Sequence, residues 1–268
     1  MAVPFHGLPL GPGLYCNHES NSKVLSMART LVIIPALNEE ASLPAVVRDL
    51  LMHVPDCDLL VIDDGSADAT ARVARAAGAR VVSLPFNMGV GTALRTGFRF
   101  AERHGYERVV QTDADGQHDP AQIRALIREL DAGADLVIGS RFILGDGHYT
   151  VDSPRGFAMS VLRGCTRVLL GRRIADSTSG FRGFSRPLIE QFSHTYPREF
   201  LSDTVEALLM AGYGGYRIVE VPVTMKHREL GEPSHRSFKL AYHYLRLMVV
   251  LILTVSPSGG RAARKAHA

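Results

Sequence analysis

The chain has 268 residues, 46% of them hydrophobic and 21% charged, a composition that excludes a disordered or fibrous protein. Lys and Arg number 30 against 27 Asp and Glu, a net charge of only +3, which gives no support to a nucleic-acid binder. Three cysteines (Cys16, Cys57 and Cys165), with no CxxC pair, argue against a disulfide framework or zinc site and for a reducing compartment.

Residues 1–30 are rich in Gly, Pro, Asn and Ser, lack a basic segment before an apolar core, and read as a poorly ordered extension. From Leu31 onward, short β-branched runs alternate with helical periodicity. LVIIP (Leu31–Pro35) predicts a buried strand and Ser42–His53 a helix. Leu59–Asp63 predicts a second strand, Asp68–Ala77 a helix closed by Gly78, and Arg80–Leu84 a third strand. Gly91–His104 follows as a helix, Arg108–Thr112 as a strand, Pro120 to about Ala132 as a helix, and Leu136–Ser140 as a fifth strand. The second half is less regular. It predicts helices over Pro154–Leu170 and Leu201–Ala211, with strands at Gly180–Ser185 and Tyr216–Val223. This rhythm predicts a doubly wound, mainly parallel α/β sheet with one domain over 31–235. In such sheets ligands bind beyond the carboxyl ends of the strands.

The last segment, Leu240–Val255, is apolar, with a basic tail behind it (Arg261, Arg264, Lys265). Sixteen helical residues span about 24 Å, short of the ~30 Å hydrocarbon core, so residues 236–268 read as an interfacial helix and tail or as a core helix.

Chemistry concentrates at the predicted strand ends. Asp113-Ala114-Asp115 leaves the fourth strand, and two carboxylates so spaced can converge on a hard cation, Mg²⁺ or Mn²⁺, shared with substrate phosphates. Gln117 and His118 lie within reach as supports. Asp63 and Asp64 end the second strand, where adjacent acids can meet a nucleobase or ribose and Ser66 or Asp68 can cap the next helix. Pro35, Ala36, Asn38 and Glu39 bring polar groups to the same edge. Gly89 and Gly91 precede a helix whose N-terminus suits phosphate, but Leu94 stands where a dinucleotide fingerprint needs its third glycine. Arg141 sits just past the fifth strand, and a guanidinium there suits a phosphate.

Together, IIPALNEE, VIDDGSADAT, NMGVGTALRTG, TDADGQHDP, GSR, DSTSGFRGFSR and VEVPV occur in an order that resembles glycosyltransferase family 2, the inverting GT-A enzymes. More narrowly, the chain is similar to the dolichyl- or polyprenyl-phosphate sugar synthases. The resemblance implies a GT-A fold in which Pro35, Ala36, Asn38, Glu39, Asp63, Asp64 and Gly91 serve the nucleotide. It implies that Asp113, Asp115 and Gln117 hold the metal, with Asp113, Ala114 and Gln117 also meeting the donor. Arg141 and Arg155 would contact the acceptor phosphate, and Asp176, Ser179 and Arg182 would shape its site. Asp115, Arg141 and Asp176 are the residues to which catalysis is assigned. Arg228 opens a later loop, Arg228–Ser234, in which Pro233 replaces a serine of the family pattern.

The implied reaction is inverting transfer of a hexose from GDP-mannose, UDP-glucose or UDP-N-acetylglucosamine to a polyprenyl monophosphate. The implied place is the cytoplasm, peripheral to the cytoplasmic face of the membrane, with a membrane-protein partner or a second copy of the chain left open. Two alternatives stay open: a soluble, polymeric or secondary-metabolite acceptor, and a catalytically silent membrane-associated relative with a binding role.

The net charge hides a split. Residues 1–140 carry 12 basic and 17 acidic side chains, residues 141–186 carry 8 and 3, and residues 226–268 carry 8 and 2. An acidic half needs a cation to accept a diphosphate, whereas the basic segments suit an acceptor phosphate and an anionic membrane surface.

Overall fold

The computed structural model describes residues 29–143, 164, 166–197 and 203–226. The expected N-terminal extension, the apolar C-terminal segment, Arg155, Arg228 and most of the predicted 154–170 helix lie outside them.

The strands are β1 (Thr30–Ala36), β2 (Asp58–Asp63), β3 (Arg80–Ser83), β4 (Arg108–Gln111), β5 (Leu136–Ser140), β6 (Arg182–Ser185) and β7 (Ile218–Pro222). They form one sheet in the order β3-β2-β1-β4-β6-β5-β7. β6 runs antiparallel to both neighbours, and every other pairing is parallel. The expected doubly wound, mainly parallel sheet is therefore mixed at one strand. The reversal matters for the site, because it brings the amino end of β6 to the carboxyl edge, with Arg182 opposite Gln111 and Ile138.

Helices cover both faces. α1 (Leu43–His53), α2 (Thr70–Ala76) and α4 (Ile123–Asp131), the last entered through a 3₁₀ turn at Pro120–Gln122, pack on one side. α3 (Val90–Arg103), α5 (Arg186–Thr195) and α6 (Asp203–Tyr213) pack on the other. Alternation along β1 feeds both cores, Val32 and Ile34 into the first, Leu31 and Ile33 into the second. In the second core Phe98 of α3 meets Phe184, Phe192 and Tyr196 at ring separations of 4.9, 5.6 and 5.2 Å. α5 was not expected from the sequence; Leu188, Ile189 and Phe192 dock it against α3. Cys57 is buried, and burial pushes its thiol up to about 11, so it is inert at neutral pH.

Gly65 is dictated by its close approach to backbone. Gly65 has φ +74°, and a Cβ there would lie 2.3 Å from the Phe86 carbonyl carbon. Gly105 has φ +69° with open space around it. Gly65→Ala is therefore expected to cost more than about 2 kcal/mol, and Gly105→Ala only about 1 kcal/mol. Urea midpoints of the two variants check this, and equal losses would contradict the steric account.

Candidate functional site

The carboxyl edge collects the loops after β1, β2, β3, β4, β5 and β7, and the incoming loop before β6. The first three loops brace one another. Asn38, at φ 55°, donates its N–H to Ser66 Oγ (2.9 Å), and its Oδ1 accepts from Ala67 N (2.9 Å). Glu39 N donates to Thr70 Oγ1 (2.8 Å), Glu40 N donates to Asp68 Oδ2 (3.1 Å), and Glu40 Oε2 accepts from Ala69 N (2.8 Å). Asp63 accepts from Ser66 N (3.0 Å). Asp64 takes Met88 N on one oxygen (2.8 Å) and Gly89 N on the other (2.9 Å), tying β2 to the start of α3. Burial pushes the Asp64 carboxyl above its ordinary range, against the pull of those two N–H groups. Asn38, Asp63 and Asp64 thus sit at the expected edge, yet these side-chain oxygens organise loops. Ala36 and Ala114 direct their methyls into the core, so only their backbones can meet a substrate. Gly91 is buried in the first turn of α3.

The Asp113–Asp115 turn is built from below. His118 Nδ1 accepts from Asp113 N (3.1 Å), which leaves the ring hydrogen on Nε2, 3.7 Å from Asp113 Oδ2. The His118 ring stacks on Phe181 with 4.8 Å between centroids. Asp115 Oδ1 accepts from Gln117 N (3.0 Å), and the Gln117 carbonyl accepts from Lys226 N (2.8 Å) in the strand-like stretch after β7. The backbone at Gly180 presses so close that a Cβ there would lie 3.1 and 3.2 Å from the two Asp113 carboxylate oxygens. No three His, Cys, Asp or Glu side chains cluster to hold a metal among the described residues. The donor set is instead two carboxylates on one turn, Asp113 half exposed and Asp115 partly so. That set fits a hard cation completed by substrate oxygens, not an all-protein cage.

Beside it, Arg141 and Asp176 form a fork. Arg141 Nε and Nη2 donate to Asp176 at 2.7 and 2.8 Å, its backbone N donates at 3.2 Å, and Nη2 also meets Thr178 Oγ1 at 3.1 Å. Asp176 is fully buried. Burial pushes its carboxyl up, but the Arg141 guanidinium outweighs this and holds it below the usual range. Asp176 therefore acts on Arg141 and not directly on a substrate.

Two residues expected to shape the acceptor site turn inward. Arg182 is fully buried and donates to the carbonyls of Ser179 (2.7 Å), Ser177 (2.8 Å) and Thr204 (2.6 Å). Ser179, also buried, accepts from Phe181 N at 3.2 Å. Both shape the loop before β6 from beneath, through backbone groups of that loop. Asp203, at the start of α6, escaped the sequence reading; burial pushes its carboxyl up to about 6, with Arg182 nearby pulling down. Glu220 was also missed, although a lone acid in an otherwise apolar strand is a legible signal.

Among the described residues no helix is long and apolar enough to cross a membrane. The profile of Glycosyl transferase family 2 matches residues 31–192. The chain is 34% identical to polyprenol monophosphomannose synthase of Mycolicibacterium smegmatis, covering 80% of this chain and 83% of that one. It is 35% identical to undecaprenyl-phosphate mannosyltransferase of Micrococcus luteus, covering 76% and 86%. Glucosyl-3-phosphoglycerate synthase from Mycobacterium tuberculosis, solved with Mn²⁺, uridine diphosphate and phosphoglyceric acid, superposes with a TM-score of 0.65 at 24% identity, covering 85% and 78%.

Proposed function

The chain belongs to glycosyl transferase family 2, and on that premise we propose that it transfers a hexose from a nucleotide sugar to a polyprenyl monophosphate. The observation that carries this reading is the Arg141–Asp176 fork at the end of β5, one antiparallel strand away from the Asp113–Asp115 turn at the end of β4. A clamped guanidinium beside paired carboxylates suits two phosphates of different fate: one attacking, one leaving. The names of the two bacterial relatives point to the same acceptor class.

An acceptor phosphate oxygen would form a bond to the anomeric carbon from the face opposite the nucleoside diphosphate. The bond from that carbon to the diphosphate oxygen breaks, and the configuration inverts. A phosphate monoester has its second pKa near ~6, so the attacking oxygen is largely ionised at neutral pH and needs no strong base. Arg141 holds that phosphate and offsets its charge. Asp113 and Asp115 would hold Mg²⁺ or Mn²⁺, whose chemistry is to neutralise the departing diphosphate. Gln117 ties the turn through its backbone. The braced loops after β1–β3, Glu39 among them, cradle the nucleoside together with Pro35 at the end of β1. Arg155 and Arg228 remain assigned to the acceptor side and the later loop. The basic C-terminal region supports a peripheral position on the cytoplasmic leaflet.

A screen of GDP-mannose, UDP-glucose and UDP-N-acetylglucosamine, each radiolabelled, with a short polyprenyl phosphate tests the reaction. Label is expected in the organic phase with one donor; label only in water-soluble products would overturn the acceptor class. Arg141→Ala is expected to raise the acceptor KM about 10-fold or more while leaving the donor KM within about 2-fold. Equal effects on both would remove Arg141 from the acceptor side.

A further inference from the structure

We propose that Glu220, on β7, is a positioning residue that sets the Arg141 guanidinium for the acceptor phosphate, an inference resting on the role of Arg141 given above. Glu220 stands between Val219 and Val221 in β7. An acid in such a strand needs polar partners, and here it has a pair of adjacent amides. Glu220 Oε1 accepts from Ala175 N (3.0 Å) and Asp176 N (2.9 Å), and Oε2 accepts from Ala175 N (2.9 Å). Successive backbone N–H groups converging on one carboxylate make a concave anion site, and charge-assisted bonds of this kind are stronger than neutral ones.

The consequence is a closed circuit. Glu220 pins the backbone of Ala175 and Asp176 to β7. The Asp176 carboxylate, fixed by its own backbone, takes the Arg141 fork from below. Arg141 in turn leaves β5, where Ile138 lies directly opposite Glu220 in the sheet register. The chain therefore leaves β5 at Arg141 and is tied back to β7 through Asp176 and Glu220. Glu220 itself bonds backbone, not guanidinium. Its effect on Arg141 passes entirely through the place and direction of Asp176. A planar guanidinium recognises phosphate only in a defined orientation, so loosening Asp176 weakens acceptor recognition while Arg141 and Asp176 both keep their charges.

Glu220→Gln keeps the shape and removes the charge: its amide oxygen can take the Oε1 place, which accepts from both N–H groups, but its NH₂ then faces Ala175 N in the Oε2 place, and the charge assistance to both bonds is lost. With the full chain, a short polyprenyl phosphate and the active donor, this change is expected to raise the acceptor KM about 5-fold and leave the donor KM unchanged. In the Arg141→Ala background it is expected to change the acceptor KM by less than about 2-fold, because the two residues act as one unit. Glu220→Asp, charged but shorter, is expected to fall between wild type and Glu220→Gln, and serves if the amide variant fails to fold. The Arg141 Nε–H resonance, assigned through Arg141→Lys, is expected to exchange faster with solvent in the Glu220 variants. Additive effects in the double variant, or equal losses for donor and acceptor, would reduce Glu220 to a general structural role and overturn the inference. An Arg141→Ala enzyme with a clear acceptor defect beside an unaffected Glu220→Gln enzyme would overturn it alone. An unaltered acceptor KM in Arg141→Ala would bring down the reading of Arg141 and this inference with it.

Discussion

Asp115→Ala is expected to lower kcat about 10³-fold, equivalent to roughly 4 kcal/mol of transition-state stabilisation. The argument is one of charge. Departure of a nucleoside diphosphate concentrates negative charge at an edge whose first 140 residues are already net acidic. Asp113 and Asp115 would hold a divalent cation there, which would supply the charge that offsets the phosphates. Asp115 is partly exposed and its bond to the Gln117 amide is local, so the fold is expected to survive. Initial rates over a Mn²⁺ titration, with circular dichroism to confirm folding, decide the matter. Turnover within about 10-fold of wild type at saturating Mn²⁺ would remove Asp115 from the metal site.

Arg182→Ala is expected to be the most damaging single change to stability, by about 3–5 kcal/mol. Three carbonyls, from Ser177, Ser179 and Thr204, would lose their donor inside a closed space. The nearby Asp203 would lose the positive charge that pulls its carboxyl down. For a domain of this size the loss corresponds to a melting temperature lower by about 10 °C. Arg182→Lys keeps the charge but cannot fork to three oxygens, so it is expected to recover only part of the loss. Thermal unfolding of the full chain measures both, and a shift below about 2 °C for the alanine variant would show that the carbonyls find other partners.

Much of the architecture was legible because its signals are strong. LVIIP and LVIGS are β-branched runs of strand length, and β1 and β5 lie where they occur. The reversal of β6 was not legible. Its four residues, Arg-Gly-Phe-Ser, carry no alternation from which direction or neighbours can be read. α5 escaped because the stretch after Arg186 mixes polar residues with Leu188, Ile189 and Phe192; Pro187 in its first turn was the available cue. At the site, the Asp113–Asp115 turn and Arg141 fall on the expected edge. The fate of Arg182 could not be foreseen from residue type, since arginine is rarely fully buried and its natural reading beside a phosphate site is as a ligand. Only the fold reveals that the loop before β6 presents it with two carbonyls and the first turn of α6 with a third. Asp176 is expected on the acceptor side with Arg141, and in the structure it is buried and bonds to that arginine.

The bracing bonds of the nucleoside-side loops run among Asn38 to Thr70 and on to Gly89, whereas the fork and its support run among Arg141, Ala175 to Arg182, Thr204 and Glu220. The two sets described share no residue. Free energies of substitutions in separate networks tend to add. Under the proposed roles, substitutions in the loops after β1–β3 are expected to change the choice of sugar nucleotide and to leave the grip on the acceptor unaltered. The seven-stranded sheet thus carries two separately braced halves of one edge.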